Sequence, residues 1–192
     1  FPTTIQIISK YGGLEGASRY DRLITIAYLA IIVLFFSSYR QQLLLQKSRL
    51  NAEQYFQSVH VGKFLDQHDL KPEENEAVVL VPAYNEGDSI SAVLSKVPAE
   101  LLGVKISIIV ISDGSTDKTV EEALSCDAFV VDLPINSGQA FAYRTGYSIA
   151  IRSGFKYVLH LDADGQYDPE ELHRLLQPLR DDTHDLVSGS RL

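Results

Sequence analysis

Hydrophobic residues are arranged in two different ways along this chain, and the change between them divides it. Residues 23–36 form one apolar run without a charged side chain, and arginines flank the run on both sides. Extended to Tyr39, the run has about 17 residues, which is the short end of the membrane-spanning range. The pattern predicts a membrane segment over 1–40, with a transmembrane helix at about 23–39. A buried helix of a soluble domain is the alternative.

An amphipathic stretch follows the apolar run. From Gln41 to about Phe64, leucines and aromatic residues are interleaved with polar residues, lysines and arginines. This pattern is typical of a helix that lies along the lipid surface, or of a coiled connector. Residues 66–76 are polar and acidic and contain Pro72. We therefore predict an amphipathic helix and linker over 41–76.

After Glu76 the pattern changes to short, continuous apolar runs separated by helical periodicity. Such runs are expected for strands that are covered on both faces. The predicted strands are 77–81, 106–111, 128–131, 157–161 and 185–188. The predicted helices begin at Asp88-Ser89, Thr116-Asp117, Ser137 and Asp168-Pro169. Strands that alternate with helices predict an α/β domain over 77–192, with a mostly parallel sheet, right-handed crossovers and flanking helices.

A cluster of polar residues follows each predicted strand. In sheets of this kind, ligands bind beyond the carboxyl ends of the strands. The clusters at those ends are 82–86, 112–117, 136–138, 162–166 and 189–191. Each cluster alone fits simple turn chemistry, but five clusters at one edge predict a ligand site there.

Asp162 and Asp164 stand out among these clusters. Alternate residues of an extended chain share a face, so the two carboxylates are able to point at one object. Two such groups repel each other unless a cation lies between them, and hard oxygen ligands suit Mg²⁺ or Mn²⁺. Mg²⁺ usually takes one or two carboxylates together with substrate phosphates. The pair predicts a metal-bound diphosphate, and a solvated turn is the alternative for the pair taken alone.

The net charge, the motifs that are absent and the other polar residues of the clusters restrict the class of ligand. A formal net charge of -8 argues against nucleic acid as a partner. The chain contains neither G-x-G-x-x-G nor G-x-x-x-x-G-K-[ST], which disfavours a dinucleotide-binding enzyme and a P-loop NTPase. The carboxylates of Glu86 and Asp113 suit ribose hydroxyls or base N–H groups, Tyr84 suits packing on a base, and Arg191 suits a phosphate. These features indicate a nucleoside diphosphate with a leaving group attached.

Five motifs occur in a recognisable order: VPAYNE, ISDGSTDKT, NSGQAFAYRTGY, HLDADGQYDPE and VSGSR. They resemble glycosyltransferase family 2, of the GT-A fold, and within it the polyprenyl-phosphate group that includes the dolichyl-phosphate sugar synthases. This resemblance covers about 76–191. Residues 11–61 are also similar to the end of a small bacterial and archaeal membrane-protein family of unknown function, through Gly13, Gly16, Ala17 and Asp21. The second resemblance would make the chain a fused or mis-split product.

The resemblance to family 2 implies a role for each matching position. Pro82, Tyr84 and Glu86 would line the nucleotide pocket, and Ile111 and Asp113 would contact the nucleoside. Asp162 and Ala163 would lie by the ribose and diphosphate, and Arg191 would contact the diphosphate or the sugar. Asp164 and Gln166, with Asp162, would hold the Mg²⁺ or Mn²⁺ ion. Asp162 and Asp164 are the residues expected to carry catalysis.

The chain departs from the family pattern at three places. Ser112 stands where the family often has the first Asp of a pair, and Gln139 stands where many relatives have Lys. Arg144 is then the candidate for the missing positive charge. Family members also continue well past the position of Leu192, with acceptor-binding residues. The sequence therefore predicts a domain that is truncated at its C-terminus.

The resemblance implies an inverting, metal-dependent hexosyltransferase that moves a sugar from a UDP- or GDP-linked donor to a polyprenyl phosphate. A phosphate monoester is largely dianionic at neutral pH and needs no strong general base, and His160 is expected to pack rather than to catalyse. Nucleotide sugars are cytosolic, so the catalytic domain is expected at the cytoplasmic side of the membrane. Two alternatives stay open: a family 2 enzyme for a polysaccharide or another acceptor, and an inactive, membrane-anchored nucleotide-binding remnant.

Overall fold

The computed structural model describes residues 18–70, 72 and 76–189 of a chain that divides into two compact units, Phe1–Tyr55 and Phe56–Leu192. The described helices are α1 (Arg19–Gln67), α2 (Ile90–Leu94), α3 (Thr119–Leu124), α4 (Gln139–Ser153) and α5 (Leu172–Arg180), with a 3₁₀ turn at Pro169–Glu171. The strands are β1 (Glu76–Ala83), β2 (Glu100–Leu101), β3 (Val104–Asp113), β4 (Phe129–Leu133) and β5 (Tyr157–His160).

Helix α1 is one continuous element of 49 residues. Ser18 and Asp21 cap its start: the Ser18 N–H donates to Asp21 Oδ2 at 2.9 Å, and the Asp21 N–H donates to Ser18 Oγ at 3.3 Å. Neither proline nor glycine occurs between Arg19 and Val61, so neither of the two strongest helix breakers interrupts the helix between Tyr39 and Val61. The transmembrane helix and the amphipathic helix that we predicted as separate elements therefore form one helix.

The apolar part of α1 is exposed. An 18-residue window of this helix has a mean hydropathy of 1.9, and none of that window is buried. Val33, Leu34 and Phe35 are 66%, 68% and 66% accessible. By length and composition, the helix is therefore able to cross a membrane. The glycines and alanine of the second resemblance, Gly13, Gly16 and Ala17, lie outside the described residues.

The second unit is built on a five-stranded sheet. Four strands run parallel in the order β4-β3-β1-β5, and the short β2 pairs antiparallel with the start of β3. The register places Ala83 beside Ser112 and Asp113 beside Leu133, so β1, β3 and β4 end at one edge. The prediction of a mostly parallel α/β sheet with flanking helices is confirmed.

Each face of the sheet carries its own hydrophobic core. Alternate residues of β1 point to opposite faces, and every residue from Ala77 to Ala83 is buried. Val79 and Val81 pack in the cluster that includes residues of α2, α3 and α5. Val78 and Leu80 pack in the cluster that includes residues of α4. This three-layer arrangement explains why β1 is a continuous apolar run.

The last turns of α1 belong to the same core as α4. Val61 is fully buried and Phe64 is 4% exposed, in the cluster that contains Leu80. The ring of Phe56 lies 5.9 Å from that of Phe141. The amphipathic pattern before Phe64 thus reflects, at its C-terminal end, contact with protein. The domain boundaries 1–40, 41–76 and 77–192 stay predictions, and residues 71 and 73–75 of the predicted linker lie outside the described part.

Three local features differ from the sequence predictions. The strand predicted at 185–188 is wrong: Leu186 is 84% exposed, and no backbone hydrogen bond ties 185–189 to a strand within the described residues. The helix predicted to be capped by Thr116-Asp117 begins two residues later, at Thr119, and the Asp117 side chain accepts the N–H of that first helical residue at 3.0 Å. Strand β2 was not predicted, because two residues are too few to show a pattern.

Candidate active site

The path of the chain through the sheet creates a crevice at the end of β1. From β1 the chain passes to β3 and β4 on one side, and then returns to β5 on the other side of β1. Ligands of open α/β sheets bind where the strand order reverses in this way, beyond the carboxyl ends of the strands. A pocket of about 470 Å³ lies at this place. Its lining is Pro82, Ala83, Tyr84, Glu86, Asp113, Asn136, Gly138, Gln139, Ala142, Asp162, Ala163 and Asp164.

This pocket, which we call the acidic cleft, is electrostatically one-sided. Its lining includes the carboxylates of Glu86, Asp113, Asp162 and Asp164, and it includes no lysine or arginine among the described residues. Carboxylates that line one pocket repel one another unless a cation neutralises their charge. The cleft is therefore suited to a cation, or to a ligand that arrives with one.

The residues after β5 alternate as the sequence predicted. Leu161 and Ala163 are each 3% exposed and belong to the core, whereas Asp162 and Asp164 lie between and after them in the lining of the cleft. Asp164 Oδ1 accepts the N–H of Gln166 at 2.9 Å, across a turn in which Gly165 has φ +73°. The two carboxylates therefore both line the cleft just beyond the end of β5.

Asp113 ties the end of β3 to the start of α4. Its side chain is 3% exposed, and its two oxygens accept the backbone N–H groups of Ser137 at 2.9 Å and Gly138 at 2.6 Å. Gly138 has φ +92°, a conformation that favours glycine. The sequence predicted a nucleoside contact for Asp113 but not this anchoring of the β4–α4 loop. Each carboxylate oxygen has a further lone pair that is available to a ligand.

The loops after β1 and β3 are joined by a set of hydrogen bonds. The side-chain oxygen of Asn85, a residue with φ +55°, accepts the N–H of Thr116 at 2.9 Å, and its own N–H donates to Ser115 Oγ at 3.1 Å. The N–H of Glu86 donates to Thr119 Oγ1 at 2.8 Å. These bonds fix the backbone at Asn85 and Glu86. Sequence reasoning missed them, since the only signal was the turn chemistry of both loops.

Asp117 extends the same set of bonds. Its side chain accepts the N–H of Gly87 at 2.9 Å and the N–H of Thr119 at 3.0 Å. The hydrogen bond from the Thr119 side chain is the largest cause that lowers the pKa of Asp117. Asp117 is therefore ionised at neutral pH and works as an acceptor that holds the two loops together.

Gly114 brings the β3 turn into direct contact with the β4–α4 loop. It has φ +71°, and a Cβ atom there would lie 2.4 Å from the Asn136 nitrogen and 2.6 Å from the Ile135 carbonyl carbon. Contacts between backbone groups give little room for relief. Only glycine fits at this position. The close contact between the two loops therefore requires the glycine of Asp-Gly-Ser, in addition to the preference of turns for glycine.

Aromatic rings support Asp162 from the side of α4. The rings of Tyr143 and His160 are stacked at 4.5 Å, and Tyr147 meets His160 edge-on at 5.0 Å. Burial lowers the pKa of His160, and the charge of Asp162 opposes that shift. Burial, followed by the charge of Asp162, raises the pKa of Tyr143. At neutral pH the phenol thus keeps its proton and donates it in a hydrogen bond.

The predicted site residues fall into three groups by position. Seven line the acidic cleft: Pro82, Tyr84, Glu86, Asp113, Asp162, Ala163 and Asp164. Two do not: the side chain of Ile111 is fully buried in the core, and Gln166 contributes its N–H to Asp164 while its side chain lies outside the lining. Arg191 lies outside the described residues. The roles of all of these residues stay predictions.

The structure also shows the surroundings of Ser112 and Gln139, which depart from the family pattern, and of Arg144. Ser112 is buried and donates its hydroxyl hydrogen to Asp132 Oδ1 at 3.2 Å. Gln139 lines the cleft, but Arg144 does not. The Arg144 guanidinium lies 5.7 Å from the ring centre of Phe141, and its carbonyl accepts the side-chain amide of Gln57 at 2.9 Å. Arg144 therefore does not replace the missing lysine in the cleft lining.

The carboxylate oxygens of the cleft suit a divalent cation that a bound ligand also coordinates. No group of three or more His, Cys, Asp or Glu side chains suited to a metal occurs in the described part of the chain. Mg²⁺ binds commonly through one or two protein carboxylates, with phosphate oxygens and waters completing its shell. Asp162 and Asp164 supply that number of carboxylates in a cleft that lacks a described cationic side chain.

The fold and the cleft together define a parallel α/β domain with an acidic pocket at the place where the strand order reverses. The chain belongs to glycosyl transferase family 2, whose profile matches residues 78–192. The family resemblance that the motifs carried is thereby confirmed.

Two curated relatives and one solved structure illustrate the similarity. Polyprenol monophosphomannose synthase of Mycolicibacterium smegmatis is 32% identical over 120 residues, which are 59% of this chain and 44% of that protein. Undecaprenyl-phosphate mannosyltransferase of Micrococcus luteus is 30% identical over 119 residues, 59% of this chain and 47% of that protein. The chain thus spans about half the length of these relatives. Glucosyl-3-phosphoglycerate synthase from Mycobacterium tuberculosis, in complex with Mn²⁺, uridine diphosphate and glucosyl-3-phosphoglycerate, is 24% identical over 62% of this chain and 43% of that one, with a TM-score of 0.47.

Proposed function

We propose that the acidic cleft binds a nucleoside-diphosphate sugar together with Mg²⁺ or Mn²⁺, and that the family 2 domain transfers the sugar to a polyprenyl phosphate. The observation that carries this proposal is the lining of the cleft: carboxylates from the ends of β1, β3 and β5, with no described lysine or arginine. A diphosphate entering such a cleft would be repelled unless a cation came with it. A donor of UDP or GDP type meets this requirement.

Each part of the cleft has a proposed task. Tyr84, Glu86 and Asp113, at the ends of β1 and β3, would receive the nucleoside, with Pro82 and Ile111 shaping the floor below. Asp162 and Ala163 would face the ribose and diphosphate. Asp164, with Asp162 and Gln166, would hold the cation, and Arg191 would contact the diphosphate or the sugar. A bound cation would stabilise the negative charge that develops on the departing diphosphate.

The proposed reaction is a single displacement. An oxygen of the lipid phosphate attacks the anomeric carbon, the bond from that carbon to the nucleoside diphosphate breaks, and the diphosphate leaves with the electron pair. The anomeric configuration is inverted. The second pKa of a phosphate monoester is about 6, so the nucleophile is already ionised at neutral pH. The task of the protein is then to position the reactants and to neutralise charge.

The acceptor is proposed from the membrane helix and the relatives. A polyprenyl chain stays in the bilayer, and α1 is apolar enough to hold the protein there. Two relatives carry the names polyprenol monophosphomannose synthase and undecaprenyl-phosphate mannosyltransferase. Because nucleotide sugars are cytosolic, we place the family 2 domain at the cytoplasmic side of the membrane. The acidic net charge of -8 gives no reason to expect a nucleic-acid partner.

The donor site is tested by calorimetric titration of the full chain, in detergent, with UDP and with GDP, each with and without Mn²⁺. We expect one nucleotide to bind, and binding to depend on the metal. Asp164→Ala should abolish the metal-dependent binding while leaving the unfolding midpoint nearly unchanged, because this side chain is exposed. Asp88→Ala is the control, since Asp88 is an exposed carboxylate outside the cleft lining. Unfolding by Asp164→Ala would show that the carboxylate is structural.

The acceptor is tested by sugar transfer from the donor that binds. The full chain in detergent is offered undecaprenyl phosphate in one reaction and an oligosaccharide acceptor in the other. Transfer to the lipid phosphate supports the proposal. Transfer to the oligosaccharide alone would favour a polysaccharide-forming enzyme, and donor binding without any transfer would favour a nucleotide-binding remnant.

A further inference from the structure

The carboxylate of Asp162 is held by the first turns of α4. The O–H of Tyr143 donates to Asp162 Oδ1 at 3.1 Å, and the side-chain amide of Gln139 donates to the same oxygen at 3.4 Å. The two donors are four residues apart and therefore lie on one face of the helix. Among the described residues, no hydrogen bond is made to the other oxygen, Oδ2.

The start of α4, which carries these two hydrogen-bond donors, is itself held in place. Asp113 accepts the N–H groups of Ser137 and Gly138 immediately before α4 begins. The ring of Tyr143 is stacked on His160 with an interplanar angle of 21°. The helix start and the tyrosine ring are therefore both restrained, and the phenol hydroxyl reaches Asp162 from a defined direction.

We propose that Tyr143 is a positioning residue, whose hydroxyl sets the orientation of the Asp162 carboxylate and leaves Oδ2 for the metal and diphosphate. Tyr143 is absent from the lining of the acidic cleft, although it lines a neighbouring pocket that also contains Asp162, so we assign its effect on a ligand of the cleft to Asp162. This inference rests on the proposed function of the cleft. Tyr143 lies within the motif NSGQAFAYRTGY, but sequence reasoning assigned it no role in the site.

The test is Tyr143→Phe in the full chain, which removes the hydroxyl and keeps the ring on His160. Tyr147→Phe is the matched control: Tyr147 is on the same helix, its ring is 5.0 Å from that of His160, and it makes no hydrogen bond to Asp162. Calorimetry in detergent compares UDP and GDP with Mn²⁺ against the same nucleotides without metal. Unfolding midpoints are recorded for each variant.

We expect Tyr143→Phe to weaken metal-dependent nucleotide binding about tenfold, the effect of one lost hydrogen bond to a charged group. Metal-free affinity and the unfolding midpoint should stay unchanged, and Tyr147→Phe should match the unsubstituted chain in every titration. The inference is overturned if Tyr143→Phe binds as tightly as Tyr147→Phe. It is also overturned if affinity falls equally with and without metal, since that indicates a structural role. If the unsubstituted chain binds no nucleotide, the proposed function fails and this inference fails with it.

Discussion

The burial of the end of α1 predicts that two valines on the same helix respond differently to truncation. Val61 is fully buried in the core that contains Leu80, whereas Val59, two residues earlier, is 46% exposed. Replacing Val61 by alanine removes two buried methyl groups, each contributing about 0.8 kcal/mol, and leaves a cavity that adds about 1 kcal/mol. Val59→Ala should change the free energy of unfolding by no more than about 0.5 kcal/mol.

The comparison of the two variants isolates burial. Alanine has a higher helix propensity than valine by roughly 0.5 kcal/mol, and this gain is common to both substitutions. The difference between Val61→Ala and Val59→Ala should therefore be about 2 to 3 kcal/mol. With a urea slope of about 1–3 kcal/mol per molar, this difference corresponds to a midpoint shift of about 0.7–3 M.

The assay is urea unfolding of the full chain in detergent. The signal is the near-ultraviolet circular dichroism of the tyrosines, of which Tyr143 and Tyr157 are partly or fully buried in the second unit. Equal midpoints for the two variants would refute the reasoning, because Val61 would then have no packing role in that unit. A chain that begins at His68 should be destabilised more than either variant, since it also lacks Phe64.

Two further substitutions test how the loops of the cleft are built, with the same unfolding assay. Gly114→Ala should destabilise by about 1–3 kcal/mol more than Gly103→Ala, because both glycines have positive φ but only at Gly114 does a Cβ clash with backbone atoms; similar losses for the two would mean that the turn relaxes. Asp113→Asn should cost about 2–3 kcal/mol and weaken nucleotide binding, because an amide NH₂ would face a backbone N–H. Asp132→Asn is its control, since that exposed side chain accepts only a hydroxyl hydrogen, and equal effects would contradict the anchoring role of Asp113.

The sequence predicted the parallel strands well because their physics is local. A strand buried on both faces needs a continuous apolar run, and β1, β3, β4 and β5 each show one. The segment 185–188 has only the apolar pair Leu186-Val187, and a strand also needs a partner for its backbone groups, about which a local pattern carries no information. The same limit hid β2, whose two residues pair with β3.

The amphipathic stretch after Tyr39 shows a different limit. A helix face that meets lipid and one that meets protein have the same apolar spacing, so the pattern before Phe64 did not distinguish them. The structure does so through burial, because Val61 and Phe64 are in the core while Leu43, Leu44 and Leu45 are exposed. Predicting the helix was therefore possible, but predicting what covers it was not.

The sequence predicted most residues that line the cleft, but it did not predict the hydrogen bonds that hold them in place. Asp162 and Asp164 were found because two carboxylates at alternate positions after a strand are informative by themselves. The bonds of Asn85 to Ser115 and Thr116, and that of Tyr143 to Asp162, join residues far apart in the sequence. No spacing rule reveals such pairs, since they depend on how the strands are ordered in the sheet.

The most direct test of the account is electron paramagnetic resonance of Mn²⁺ added to the full chain in detergent, with and without UDP or GDP. In the proposed site, Asp162, Asp164 and the diphosphate of the donor share the cation. The signal of free Mn²⁺ should therefore fall strongly only when a nucleoside diphosphate is present, and Asp164→Ala should abolish this fall. Mn²⁺ binding that is equally strong without nucleotide, or a signal that the nucleotide does not change, would contradict the central claim.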